Sequence, residues 1–298
     1  MNVFSVAERA RYLHLSALSL AEGMRSGGFR SCFRGRGMDV DGVREYAAGD
    51  DIRSIDWNVM ARTGKPHVKM YREERDLTVY LVVDDSLSMA SAWKGLTKKN
   101  KALECAALLA FAAERNTSPV GLISFDRDTG RVFAPKTGRK HIMTVLSDLE
   151  RRVCSLSGSA LSQTLSLSLG VLKNRSLVIV ISDFRIAGYE DSLAALARRH
   201  DVLAVRLVSP VDFFLPNAGL CPFRDPETGF ETAYPTASPS FAQQWEMDAK
   251  ESVQRWKTTC LKRGALPLVL SVEDDAFTAL SSFFKNNPSS LYRDAGLR

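Results

Sequence analysis

From residue 77 onward the sequence predicts an α/β domain: a doubly wound, mostly parallel sheet of Rossmann type. An N-terminal appendage over residues 1–76 precedes the domain of residues 77–298. Three observations carry this reading. Runs of strand length, rich in apolar and β-branched residues, alternate with amphipathic stretches of helix length. Several of the runs are apolar almost throughout, as strands buried on both faces are. Two of them, LVVDD and IVISD, end in acids at Asp84, Asp85 and Asp183.

Taken in order, residues 5–24 place Leu13, Leu15, Leu18, Leu20 and Met24 at roughly helical spacing, with Gly27-Gly28 just past the end. Residues 25–76 are polar, arginine-rich and punctuated by glycine, with short strand-like pieces such as HVKMYRE. LTVYLVVD (77–84) is the first buried strand, and KKNKALECAALLAFAAERN (98–116) is a helix. PVGLISFD (119–126) is a second strand, and GRVFAP (130–135) is its hairpin partner or an edge. Two helices follow, RKHIMTVLSDLERRV and ALSQTLSLSLGVLKN, the second weakened by its serines. RSLVIVISD (175–183) is a strand, EDSLAALARRH a helix, and DVLAVRLVSP (201–210) a strand. The Pro/Gly-rich stretch after Pro210 predicts a loop and a small hairpin. The long helix SFAQQWEMDAKESVQRWKTTCLKRG, the strand LPLVLSV and the helix DDAFTALSSFFKN complete the domain.

Composition narrows the class. Of 298 residues, 45% are hydrophobic and 25% charged, which suits a soluble protein with a sizeable core. The net charge is +6, from 40 cationic and 34 anionic side chains that are mostly interleaved. The exception is MRSGGFRSCFRGRGM (24–38), with Arg25, Arg30, Arg34 and Arg36 and no acid. The five cysteines (32, 105, 154, 221 and 260) form no CxxC pair, which argues against a disulfide framework or zinc ribbon and fits a reducing compartment. Glu8, Arg9, Arg11 and His14 interrupt the first residues, so no signal peptide is expected there. No apolar run reaches the ~18 residues of a membrane span. The expectation is a cytoplasmic protein without direct membrane insertion.

In an open α/β sheet, ligands bind outside the carboxyl ends of the strands. Asp84 and Asp183 should share that rim. The pattern D-x-S-x-S of Asp84, Ser86 and Ser88 lets alternate side chains of an extended loop converge. One carboxylate and two hydroxyls are hard oxygen ligands suited to Mg²⁺ or Mn²⁺, with Asp183 completing the cradle directly or through water. The same serines can instead cap a turn. Asp126, in LISFDRD, reads as a turn acid.

Other chemistries fit less well. An aspartate-nucleophile phosphatase needs D-x-D, but a serine holds the second place. A receiver domain needs a late strand-end lysine, and VRLVSP has none. Neither a G-x-S-x-G elbow nor a P-loop is present. Of the four histidines, His67 and His200 read as surface residues.

LVVDDSLSM resembles the D-x-S-x-S-M start of the metal-ion-dependent adhesion site of von Willebrand factor A domains. The upstream segment REYAAGDDIRSIDWNVMARTGKPHVKMYREERD resembles the signature of a bacterial family, domain of unknown function 58. The likeness runs through IVISDF to LSVEDDAFTALSSFF, about residues 36 to 285. It implies a von Willebrand factor A-like domain with metal ligands at Asp84, Ser86, Ser88 and Asp183. The site's central threonine aligns with Ser159 in SGSALSQTL, which keeps the hydroxyl and loses the methyl that restricts its rotamer. Asp85 matches a variable position and takes no ligand role. Relatives are typically encoded beside MoxR-type AAA+ ATPases and are thought to act with them in chaperone-like assembly or stress functions.

The expected function is therefore a non-enzymatic interaction module whose Mg²⁺ or Mn²⁺ holds an acidic group of a partner or substrate protein, with a MoxR-type ATPase as partner. The alternative is a metal-dependent hydrolase or phosphatase on the same rim. Nucleic-acid binding through Phe29, Phe33 and the arginines of 24–38 is disfavoured against packing of that segment on the domain. In the signature, Arg44, Asp50, Asp51, Arg53 and Asp56 mix both charges beside Tyr46 and Trp57, read as large packing groups. They form either a charge-paired clamp or a docking surface for the ATPase.

Overall fold

The computed structural model describes residues 39–47, 55–72, 78–125, 130–152, 161–224 and 229–286. The chain divides into two compact units, the smaller being Arg34–Asp76. The helix expected over 5–24, the stretch 24–38, Asp50, Asp51, Arg53, Asp126 and Ser159 lie outside the described residues.

In the smaller unit, β1 (Asp39–Glu45) pairs antiparallel with β2 (His67–Arg72). The connection carries α1 (Trp57–Thr63), which the sequence pattern did not reveal. Its start is set by Asp56, whose carboxylate accepts from the backbone N–H of Asn58 at 3.0 Å and of Val59 at 3.2 Å. Such a cap contributes about 1 kcal/mol. Its end is set by Gly64, which takes a left-handed φ of 72°. The aspartate of the I-D-W motif is thus a helix cap. Trp57, expected to pack, is 63% exposed.

The larger unit is built on one six-stranded sheet. The central strand β3 (Val79–Asp84) runs parallel to β6 (Val120–Phe125) on one side and to β8 (Leu177–Ser182) on the other. Beyond β8 lie β9 (Asp201–Val208) and then β12 (Ala265–Ser271), both parallel. At the opposite edge β7 (Arg131–Lys136) is antiparallel, as the hairpin reading of 130–135 expected. The two edge strands are the ones that carry proline, Pro135 and Pro267, where a missing N–H is tolerated.

The near-continuous apolar runs are explained by burial on both faces. In β3, Val79, Leu81 and Val83 join one core cluster while Tyr80 and Val82 join the other. The first cluster is closed by α2 (Lys98–Arg115), α3 (Arg139–Arg151) and α7 (Ala276–Asn286). The second is closed by α4 (Leu161–Val171), α5 (Glu190–Arg199) and α6 (Pro239–Lys262), through Leu161, Leu193 and Trp256 among others. Helices on both faces make the sheet doubly wound. Each fully buried Leu, Ile or Val adds about 1.5–3 kcal/mol. Tyr80 fits only because Gly121 has no side chain: a Cβ there would lie 2.6 Å from its ring.

Of two short hairpins, one was not legible in the sequence. β4 (Ala92–Trp93) and β5 (Leu96–Thr97) are joined by Lys94 and Gly95, with φ of 49° and 81°. Two positive φ values match a type I′ turn. The hairpin delivers the chain to Thr97, whose hydroxyl accepts from Asn100 N–H at 3.0 Å and starts α2. The pair β10 (Leu220–Arg224) and β11 (Glu231–Pro235) is the hairpin expected after Pro210. Its Tyr234 ring stacks on Phe241 at 5.5 Å and meets Trp245 at 5.6 Å, fastening it to the first turns of α6.

His200, expected at the surface, is buried between α5 and β9, and neither ring nitrogen has a hydrogen-bond partner among the described residues. Burial lowers its pKa from 6.5 to about 4, with smaller contributions from Arg199 and Arg175. Below pH ~6.5 the unfolded chain therefore binds a proton that the folded chain refuses. Stability is expected to be full above that pH and to fall toward pH ~4, by at most about 1.4 kcal/mol per unit. Urea unfolding at a series of pH values checks this. The slope should flatten in His200→Phe, and an unchanged slope would exclude His200 as its source.

Candidate metal centre at the switch point

From β3 the chain proceeds outward to β6 and β7, and later returns to lay β8 on the other side of β3. The carboxyl ends of β3 and β8 therefore flank the point where the winding reverses, the usual binding crevice of such sheets. Asp84 ends β3, and Ser182 ends β8 with Asp183 next.

After Asp84 the chain turns into a short 3-10 helix, Leu87–Ala90. Asp84 organises the turn: its Oδ1 accepts from Ser86 N–H at 2.9 Å. Its Oδ2 accepts from the Ser182 hydroxyl at 2.6 Å, tying β3 to β8. The Ser86 and Ser88 hydroxyls meet at 3.0 Å. All of these side chains are buried. Burial raises the pKa of Asp84 to about 7, the neighbouring Asp183 charge adds to the rise, and hydrogen bonds from Ser182 and Ser86 oppose it.

Asp183 shares this rim, but its Oδ2 is paired with Lys98 Nζ at 3.3 Å. The same ammonium is 3.1 Å from Asp212 Oδ2, in the turn that follows β9. Lys98 is 0% exposed and Asp183 is buried, so with the part-buried Asp212 they form a largely buried carboxylate–ammonium–carboxylate array. Asp212 also accepts from Ser209 N–H at 2.8 Å and lies 3.5 Å from Arg185. The residue after Asp183, Phe184, has φ +50°, a costly conformation for an aromatic residue. It is held by Phe184 N–H donating to Ser182 Oγ at 3.0 Å, and by ring contacts with Tyr189 and Trp256 at 5.4 and 5.2 Å.

Of the residues expected as ligands, Asp84, Ser86 and Ser88 come together, Asp183 lies beside them with Lys98 on its carboxylate, and Ser159 is outside the described residues. Asp85 does not point to the cluster's chemistry. It is buried and ion-paired with Arg152 at 2.7 Å. Sequence reading missed Ser182, Lys98 and Asp212. One signal was available for Lys98: it opens α2, where the helix dipole favours anions, so a cation there calls for a local partner.

The donor set fits a hard divalent cation. An octahedral ion with bonds of about 2.1 Å has cis oxygens about 3.0 Å apart, and the two serine hydroxyls stand at 3.0 Å. Asp84 supplies charge beside them. Among the described residues no three His, Cys, Asp or Glu side chains group as metal ligands.

Fold and rim together define a doubly wound α/β domain with a carboxylate–hydroxyl cluster at its switch point. The chain belongs to the family described as protein of unknown function DUF58, which matches residues 42–255. The uncharacterized protein Rv1480 of Mycobacterium tuberculosis is 31% identical over 230 residues, covering 75% of this chain and 72% of that protein. The uncharacterized protein Mb1516 of Mycobacterium bovis matches to the same extent, 31% over 230 residues. Among solved structures, the conserved hypothetical protein BatB from Bacteroides thetaiotaomicron aligns over 73% of this chain and 100% of that chain, at 18% identity and TM-score 0.45. The SpRpn10 VWA domain aligns over 70% of this chain and 94% of that chain, at 10% identity and TM-score 0.37. Among the described residues no helix is long and apolar enough to cross a membrane.

Proposed function

We propose that this chain is a non-enzymatic protein-interaction module. In this reading Asp84, Ser86 and Ser88 hold Mg²⁺ or Mn²⁺, with Ser159 and Asp183 completing the site. The bound ion would act as a Lewis acid that accepts a carboxylate from a partner or substrate protein. The partner proposed is a MoxR-type AAA+ ATPase, met in the cytoplasm, which supplies the mechanical work. The convergence of Asp84, Ser86 and Ser88, all buried at the carboxyl end of β3, is the observation that carries the reading.

The chain's own residues have definable tasks. Asp84 fixes the loop through Ser86 N–H and brings a buried carboxylate beside the serines. Ser182 orients that carboxylate, and Lys98 restrains Asp183. A binding role is favoured over hydrolysis because Asp183 and Asp85 are already engaged, by Lys98 and Arg152, rather than poised as bases. Co-purification of the purified chain with a MoxR-type ATPase, in Mg²⁺ and in chelator, tests the reading. The complex should form with wild type in Mg²⁺ and be lost in chelator or in Asp84→Asn. Equal complex formation in all conditions would overturn it.

A further inference from the structure

A cleft of about 350 Å³ opens beside the rim, between α6, the end of β9 and the turn holding Asp212. It sits at the small end of ligand-binding pockets. Phe184, Phe213 and Trp245 give it apolar walls, and Arg206 reaches it from β9. We propose that this cleft is a second, metal-independent binding site, which takes an acidic peptide side chain presented beside an apolar residue, with Arg206 as the carboxylate anchor.

The argument begins with strand periodicity. Val202, Ala204 and Arg206 occupy alternate positions of β9 and so share a face. Val202 and Ala204 are buried in the core cluster that α6 covers. An arginine follows where the pattern calls for another apolar residue. Its guanidinium lies over the Trp256 ring at 5.7 Å, which provides stacking but no counter-charge.

The polar partners of Arg206 are meagre. Among the described residues its Nη1 and Nη2 hydrogen-bond to Ser252 alone, at the carbonyl and the hydroxyl, both at the long distance of 3.4 Å. Its Nε is buried and has no hydrogen-bond partner among the described residues. The carboxylates that share the cleft are committed elsewhere. Asp183 and Asp212 hold Lys98, Arg185 lies on Asp212, and Asp248 accepts from Gln244 at 2.7 Å. Burial works against the charge on Arg206, and Asp183 and Asp212 offset that only through space, with Arg185 opposing them; a ligand carboxylate in direct contact with the guanidinium would offset more of the cost. Charge-assisted bonds of about 2.7–2.9 Å would replace the long ones to Ser252. The aromatic walls then take the apolar neighbour, while the limited volume excludes a folded element.

The test uses the ¹⁵N-labelled full chain in EDTA, so that the outcome does not depend on the metal reading. The indole N–H of Trp245, assigned with Trp245→Phe, reports the cleft. N-acetyl-Leu-Glu-amide should shift it saturably, and N-acetyl-Leu-Gln-amide should bind at least about tenfold more weakly. Arg206→Lys keeps the charge and loses the fork, so it should weaken the glutamyl peptide about tenfold. Ser252→Asp places a carboxylate against Arg206 from within. It should raise the melting temperature and abolish glutamyl-peptide binding, which keeps the test decisive if Arg206→Lys does not fold. Absence of a response to the glutamyl peptide, an equal response to both peptides, or undiminished binding in folded Arg206→Lys or in Ser252→Asp would overturn the proposal.

Discussion

Lys98→Met is expected to destabilise the larger unit by about 3–5 kcal/mol, the usual cost of removing one partner from a buried ion array. Lys98 is fully buried, and its ammonium lies within 3.3 Å of Asp183 and 3.1 Å of Asp212. Without it, the buried Asp183 and the part-buried Asp212 lose their shared counter-ion, with Arg185 at 3.5 Å remaining for Asp212. The methionine occupies similar volume, so the loss is electrostatic rather than a cavity effect. The diagnostic measurement is a double-mutant cycle in chemical denaturation. Adding Asp183→Asn to Lys98→Met should recover part of the loss, because the second change removes one orphaned charge. Strict additivity of the two substitutions would show that the array is not coupled.

The second large effect concerns Asp84. Saturating Mg²⁺ or Mn²⁺ is expected to stabilise the wild-type chain, by about 2.7 kcal/mol when the ion is at a hundred times its dissociation constant. Asp84→Asn should abolish that gain, and EDTA should reverse it in wild type. The amide is the suitable replacement for a structural reason. Asp84 accepts from Ser86 N–H and from the Ser182 hydroxyl, both buried. Asparagine can accept the first and donate to the second, so the loop and the β3–β8 tie persist. Asp84→Ala would strand both groups, at about 1–3 kcal/mol each, and confuse loss of metal with loss of fold. Thermal melts in ion and in chelator decide the matter. A wild-type melt indifferent to both ions, or an Asp84→Asn melt that still responds fully, would sink the metal site.

Legibility in the sequence followed the physics of each feature. The strands and helices of residues 77–286 were readable because burial on both faces leaves apolar runs such as LVIVIS, and one-sided burial leaves helical periodicity. The elements that escaped were short and polar. α1 is held by an aspartate cap and a glycine stop, and β4–β5 by a two-residue turn, so neither carries an apolar period long enough to notice. His200 was misplaced because a polar residue after Arg198-Arg199 looks solvated, whereas the junction between α5 and β9 is covered.

By itself the sequence determined the α/β class, the order of its elements, and the cluster of Asp84, Ser86 and Ser88. Those features depend on spacing along one stretch of chain, and a loop leaving a buried strand brings alternate residues together by geometry alone. Only the tertiary structure decided what surrounds the cluster. Ser182 is 98 residues from Asp84, and Lys98 is 85 residues from Asp183 and 114 from Asp212. Such partners are chosen by the order in which strands add to the sheet, and no local pattern records that order. The winding that reverses at β3 and β8 is also what sets a desolvated lysine on Asp183 and leaves Arg206 in a cleft whose carboxylates have other close partners.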